Sequence, residues 1–347
     1  MPPEVRSHLL AGQVIPALPL ALTRMRRWDE RRQRAVIRYY VDAGAGGLAV
    51  GVHSTQFAIR DPQVGLYEPV LTLAADTARS ALGRTAPRPF VLIAGLCGRT
   101  PQACREAQLA RARGYHAGLL SLGAWARDDD RAVLQHCRAV AREIPLVGFY
   151  LQPAVGGRIF SYDFWRRFAE IPELVAIKIA PFHRYRTIDV VRAVLESGRD
   201  DVALYTGNDD NIIADLLTPF EFAGRTRHIV GGLLGQWGVW TERAVALLEE
   251  IKHARSAEAF AGGWLTRNAA LTDANAAIFD AAHTFAGCLP GIHEVLRRQG
   301  IFATTACLDP QERLSAGQAR EITRISQAYP WLVDDTFVAT HRDRWLD

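Results

Sequence analysis

The feature that most constrains this chain is an alternation repeated eight times: a short apolar run, then a helix-length stretch with one apolar face. The runs fall at 14–20, 47–52, 90–95, 118–122, 145–150, 174–180, 202–206 and 228–232. Each is short, apolar and bounded by turn residues, which predicts a buried strand. Between them, helical spacing covers 29–43, 62–82, 100–113, 130–142, 187–196 and 241–254, with further helices opening at Ser161 and near Asn211. Strands alternating with helices through short loops predict a parallel sheet, and eight units in this length predict an α/β fold of the (β/α)8 TIM barrel type. A doubly wound sheet requires a glycine-rich turn after its first strand, and Pro19-Leu20-Ala21-Leu22-Thr23 has none. Beyond Ser256 the strand signal stops, and 257–285, 292–299 and 315–328 read as helices. The expected organisation is a barrel over 1–255 with a short N-terminal extension, and a C-terminal helical extension over 256–347 packed on the barrel.

Inside the sixth run, Leu174-Val175-Ala176-Ile177-Lys178-Ile179-Ala180, sits one ammonium. Of 41 Lys+Arg in the chain only Lys178 and Lys252 are lysines. Lys252 lies in the charged helix end Glu249-Glu250-Ile251-Lys252-His253, where a lysine needs no special reason. An arginine at 178 could not lose its proton, whereas a desolvated lysine can and then becomes a nucleophile. The alternative is a strand-end lysine that snorkels to water. The lysine scarcity and the apolar flanks favour Schiff-base chemistry.

Barrel enzymes react at the C-terminal ends of their strands. The residues expected there are His53, Ser54 and Thr55 after strand two, Trp125 after strand four and Tyr150 at the end of strand five. Thr206 and Gly207 follow strand seven, and Gly232 and its neighbours follow strand eight. Tyr150 is on the strand beside Lys178, so a phenol beside the amine is expected to move protons during imine formation. His53, Ser54 and Thr55 are candidates to hold a substrate carboxylate, and Gly232 to admit a substrate oxygen to backbone N–H groups. Asp209-Asp210 reads equally as a helix N-cap or as part of a site.

At these residues the sequence resembles the dihydrodipicolinate synthase/N-acetylneuraminate lyase family of class I aldolases. The resemblance rests on Phe149-Tyr150-Leu151-Gln152-Pro153, on the segment from Ile171 to Lys178, and on Tyr205-Thr206-Gly207-Asn208-Asp209. It implies Tyr150 as catalytic tyrosine and Lys178 as Schiff-base lysine. It further implies pyruvate or another 2-keto acid as substrate, no metal or organic cofactor, and a homo-oligomer, dimer or tetramer. Where the family has two threonines this chain has Val52 and His53, and its relay tyrosine falls near Trp125. The arginine that dihydrodipicolinate synthases place after the Pro153 position is missing from Ala154-Val155-Gly156-Gly157. These departures argue against lysine biosynthesis. They also raise a second reading, a catalytically impaired barrel that binds a keto acid or serves regulation.

Composition excludes other classes. A net charge of +4 with arginines scattered along helices gives no nucleic-acid face. No run is long enough to span a membrane. Five cysteines without a CxxC pair predict reduced thiols and a cytoplasmic protein, and neither HxH nor HExxH is present for a metal.

Overall fold

The structure, a computed structural model, describes residues 1–83, 88–257, 259 and 261–347. It is the expected (β/α)8 barrel. Strands β1 (Val14–Pro16), β2 (Gly47–Val50), β3 (Val91–Leu96), β4 (Ala117–Leu120), β5 (Leu146–Leu151), β6 (Leu174–Ala180), β7 (Ala203–Thr206) and β10 (Gly231–Leu234) form one parallel sheet, in the order β1-β10-β7-β6-β5-β4-β3-β2. The ring closes where Ala17 bridges Ala49 and the Leu18 N–H donates to the Ala49 carbonyl at 2.8 Å. The hairpin β8 (Phe220–Phe222) and β9 (Arg225–Arg227) lies outside the barrel.

The helices form where the sequence caps them. Asp29 accepts from the Arg32 N–H ahead of the helix Glu30–Asp42, which buries Val36, Ile37 and Tyr40 against the sheet. Asp129 and Ser161 do the same for Asp130–Ala141 and Tyr162–Phe168.

Strand alternation divides the core in two. Ile15, Ala49, Ile93, Leu119, Val147, Phe149, Ala176, Ala180 and Tyr205 fill the barrel. Leu146, Tyr150, Ile177 and Ile179 face the helical layer. The N-terminal helix Pro3–Leu10 plugs the lower end: Val5 and Leu9 join the inner cluster, and the Tyr205 hydroxyl donates to the Leu9 carbonyl at 2.7 Å. The open end is therefore the C-terminal end of the strands.

Three expectations need correction. The eighth barrel strand is Gly231–Leu234, so Gly231 and Gly232, expected in the loop after it, belong to the strand itself, while Gly235 does follow it. Gly232 faces outward, where a Cβ would stand 2.6 Å from the Trp237 ring; it makes room for packing and is no part of a site. The stretch 257–285 is not one helix: the described helix is Gly263–Ile278, residues 258 and 260 lie outside the described residues, and Asp280, Thr284 and Phe285 have φ of 59, 54 and 66°. The remaining C-terminal helices are Cys288–Arg298, Gln318–Ala328 and Asp335–Leu346. No helix among the described residues is long and apolar enough to cross a membrane.

Candidate active site

The side chain of Lys178 points into the upper barrel, on the same face of β6 as Ala176 and Ala180, and is 9% exposed. It lines a cleft with about 650 Å³ of empty space, open to solvent at its mouth. Burial pushes its ammonium below the ordinary lysine range, and the nearby Asp209 carboxylate works against that fall. Its Nζ lies 4.6 Å from the centroid of the Phe149 ring. The lysine stem runs where position 207 has no side chain: a Cβ on Gly207 would stand 2.6 Å from the lysine Cε and 2.7 Å from the Ala180 Cβ. Gly207→Ala is expected to tilt the amine and slow its capture of a carbonyl by about 10²-fold, measured as the rate of borohydride trapping.

The residue facing Lys178 is not Tyr150. Strand β5 pairs with β6 through Leu146↔Leu174 and then Val147↔Ala176, so Val175 is an extra residue in β6. Past this bulge Phe149, not Tyr150, lies opposite Lys178. Tyr150 turns outward beneath the helix Tyr162–Phe168. Its hydroxyl donates to the Phe160 carbonyl and accepts from the Phe160 N–H, both at 3.3 Å, and its ring lies 5.0 Å from Trp165. Tyr150→Phe is expected to cost about 1 kcal/mol of stability through the lost hydrogen bonds and to leave carbonyl capture unchanged. Denaturant melts and trapping rates check the two halves.

The other expected site residues divide. His53 and Ser54 line the cleft, on the 3-10 turn His53–Thr55 that follows β2. Burial, then the Lys178 charge, holds the imidazole down to about 4, so His53 is neutral at neutral pH. Thr55 faces away from the cleft. Its hydroxyl donates to the Leu18 carbonyl at 2.7 Å and accepts from the Gly51 N–H at 3.0 Å, fastening the loop to β1. Trp125 stacks on His136 at 4.5 Å beneath the Arg99 guanidinium and donates to the Gly98 carbonyl, outside the cleft. The Thr206 hydroxyl donates to Asp215 at 2.7 Å and accepts from the Asn208 N–H, which shapes the turn without reaching the cleft.

That turn delivers a residue that sequence reasoning left undecided. Asn208 donates to Asp215 at 2.9 Å and to Thr187 at 3.1 Å, and the Asp209 and Asp210 carbonyls accept from Asn275 and Thr272, both at 2.7 Å. The backbone is thus held on both sides, and the Asp209 carboxyl enters the cleft with Lys178. Its Oδ1 is buried without a hydrogen-bond partner among the described residues. Burial pushes this carboxyl above the usual range, against the pull of the Lys178 charge and the Gln236 backbone N–H. The helix after the turn begins at Ile212 with Asn211 before it, so Asp209 is not its cap. Phe182, Phe279, Phe285, Ile292 and Cys288 complete the wall, the last four from the C-terminal segment. Burial raises the Cys288 thiol, and the five cysteines are free. No cluster of three or more metal-ligating side chains occurs among the described residues.

No family model matches the chain. Its sequence is 27% identical over 186 residues to 4-hydroxy-tetrahydrodipicolinate synthase of Thiobacillus denitrificans; the match covers 53% of this chain and spans 58% of that enzyme's length. The solved dihydrodipicolinate synthase of Oceanobacillus iheyensis superposes with a TM-score of 0.71 at 16% identity, covering 94% of this chain and 99% of that one. The chain is similar, at low identity, to the dihydrodipicolinate synthase/N-acetylneuraminate lyase family. An N-acetylneuraminate lyase of Fusobacterium nucleatum, solved with pyruvate, also has a TM-score of 0.71, at 17% identity and 94% and 99% coverage. At these identities the structural likeness establishes the barrel. Across from Lys178 stands Phe149, which has no proton to exchange.

Proposed function

We propose that this protein is an imine-forming lyase, an aldolase or dehydratase, acting on pyruvate or another 2-keto acid. The observation that carries the reading is the desolvated Lys178 amine in a cleft that, among the described residues, also holds a single carboxyl, Asp209. The curated relative and the pyruvate-bound lyase support the substrate class.

The chemistry follows from the groups present. The neutral Lys178 amine attacks the C2 carbonyl, and the carbinolamine loses water as its hydroxyl takes a proton from the Asp209 carboxyl. The resulting iminium accepts the electron pair of the C3–C4 bond when the Asp209 carboxylate removes the proton of the C4 hydroxyl, releasing an aldehyde and leaving an enamine. Protonation of the enamine at C3 and hydrolysis of the imine return the amine and the keto acid. In a dehydration the same electron sink acidifies C3–H and the C4 hydroxyl leaves as water. His53, Ser54 and the leading N–H groups of their 3-10 turn, which such a turn leaves without internal partners, receive the carboxylate. A keto-acid-binding protein without turnover is the second reading, favoured by the phenylalanine at 149.

The test is borohydride reduction in the presence of pyruvate, 2-oxobutanoate and longer 2-keto acids. A reduced adduct mapped by mass spectrometry to Lys178 is the expected result, and its absence across the panel refutes the proposal. Release of pyruvate from a 4-hydroxy-2-keto acid separates lyase from binder. Light scattering tests the homo-oligomer, dimer or tetramer, that belongs to this proposal.

A further inference from the structure

Above the lysine the walls change character. Phe182, Phe279 and Phe285 separate the cleft from an adjoining cavity of about 350 Å³, and both spaces share these three rings and Asp209. A substrate tethered at Lys178 that extends past Asp209 meets these three rings. Some of the polar groups in the adjoining cavity are engaged: Thr272 Oγ1 and Asn275 Nδ2 donate to the carbonyls of Asp210 and Asp209, which leaves two buried acceptors without a partner among the described residues, Asn275 Oδ1 and Oδ1 of the shared Asp209 carboxyl.

The rings are held in place. Phe182 and Phe285 meet edge to face with centroids 5.9 Å apart. Both have left-handed backbones, φ 48 and 66°, a conformation that costs a non-glycine residue about 1–2 kcal/mol. The surroundings enforce it. The Phe182 N–H donates to Asn208 Oδ1 at 3.0 Å, and the Phe285 N–H donates to the Asp280 carbonyl at 3.0 Å. Asp280 in turn accepts from the Gly287 N–H at 2.9 Å and the Ser315 hydroxyl at 2.5 Å. Strain kept at a ligand-facing position indicates that the ring placement is itself selected.

From this we infer that the part of the substrate beyond the reacting carbon is an aryl group, and that the lyase takes aromatic aldehydes, or 2-keto acids bearing an aryl tail, in preference to polyhydroxylated ones. A planar ring fills an aromatic slot with edge and face contacts. A sugar chain would bury several hydroxyls against phenylalanine with few acceptors, Asn275 Oδ1 and the Asp209 and Asp210 carboxyls, to meet them, and each unmatched hydroxyl opposes binding. With Asp209 serving the reacting carbon, Asn275 Oδ1 suits one N–H or O–H substituent on the ring. This inference rests on the imine reading and narrows its substrate.

The experiment separates the two. Borohydride trapping with pyruvate is run first. Trapping rates are then compared for 2-oxo-4-phenylbutanoate and 2-keto-3-deoxygluconate, and aldol addition of pyruvate is compared for benzaldehyde and erythrose. The expected result is a preference of about tenfold or more for the aryl member of each pair, falling toward parity in Phe279→Ser. Pyruvate trapping with equal or better use of the polyol members overturns the aryl inference and leaves the imine reading standing. No adduct with any keto acid overturns both. The trapping arm needs no turnover, and the wild-type pairs decide the outcome if the variant does not fold.

Discussion

Replacing Lys178 by methionine is expected to abolish the borohydride adduct and to lower any lyase turnover by at least about 10⁴-fold, with the melting temperature unchanged or raised. The two halves have separate causes. Methionine keeps the unbranched shape of the stem that passes over Gly207, and it removes an amine whose charged form is disfavoured by burial. No orphan charge results, because burial already drives the Asp209 carboxyl toward its protonated form and the variant deletes the cation that opposes this. Lys178→Arg is the contrasting case. It keeps the charge, cannot form an imine and forces a guanidinium into the same apolar space, so it is expected to lose both capture and stability. In the parent protein the trapping rate should rise with pH as the amine sheds its proton, with a midpoint well below the ordinary lysine value of 10.5. A midpoint at that ordinary value would mean that the amine is solvated and the cleft is not a reaction site.

The barrel was readable because its signal is additive: eight apolar runs and their intervening amphipathic helices all point to one architecture. Lys178 was readable for a local reason, an ammonium inside an apolar strand in a chain that otherwise chooses arginine. Tyr150 was misplaced because which face of a strand a residue occupies depends on register. One extra residue at Val175 moves the partner of Lys178 from position 150 to 149. Neither periodicity nor the Tyr150-to-Pro153 spacing records that bulge. The end of β3 shows how tightly such positions are set, since a Cβ on Gly95 would stand 2.3 Å from the Gly51 carbonyl oxygen. Gly232 was misjudged because the hairpin at Phe220–Arg227 delays the eighth strand, which pairs from Gly231 onward. The aromatic wall left no pattern at all. Phe182, Phe279 and Phe285 come from two loops and a helix end far apart in sequence, and two of them adopt backbone angles that no propensity favours. Asp209 carried one usable signal: Asp209-Asp210 precedes Asn211, itself suited to cap the helix, so one of the two acids was free for another task.

Asp209→Asn is expected to separate capture from turnover. Imine formation needs a neutral amine, and the Asp209 carboxylate acts on Lys178 in the opposite sense, raising its proton affinity. Removing that negative charge lets the amine lose its proton at lower pH, so the trapping profile with pyruvate should shift to the acid side, and trapping at neutral pH should persist at a reduced rate, with water supplying the proton that the carbinolamine hydroxyl otherwise takes from Asp209. Cleavage of a 4-hydroxy-2-keto acid should fall by about 10²–10⁴-fold, because the amide cannot accept the C4 hydroxyl proton or return it to the enamine. The isosteric amide keeps the shape of the turn, which is set by Asn208, Thr206 and the carbonyl bonds from Asn275 and Thr272. Measured together, the pH dependence of trapping and the kcat of cleavage distinguish a proton carrier from a packing residue. A packing role would leave kcat intact and the trapping midpoint in place. A role in substrate binding alone would raise KM with kcat unchanged. The fall in kcat alongside an acid-shifted trapping profile is the signature of a carboxyl that does, beside Lys178, the work that no phenol at position 149 is there to do.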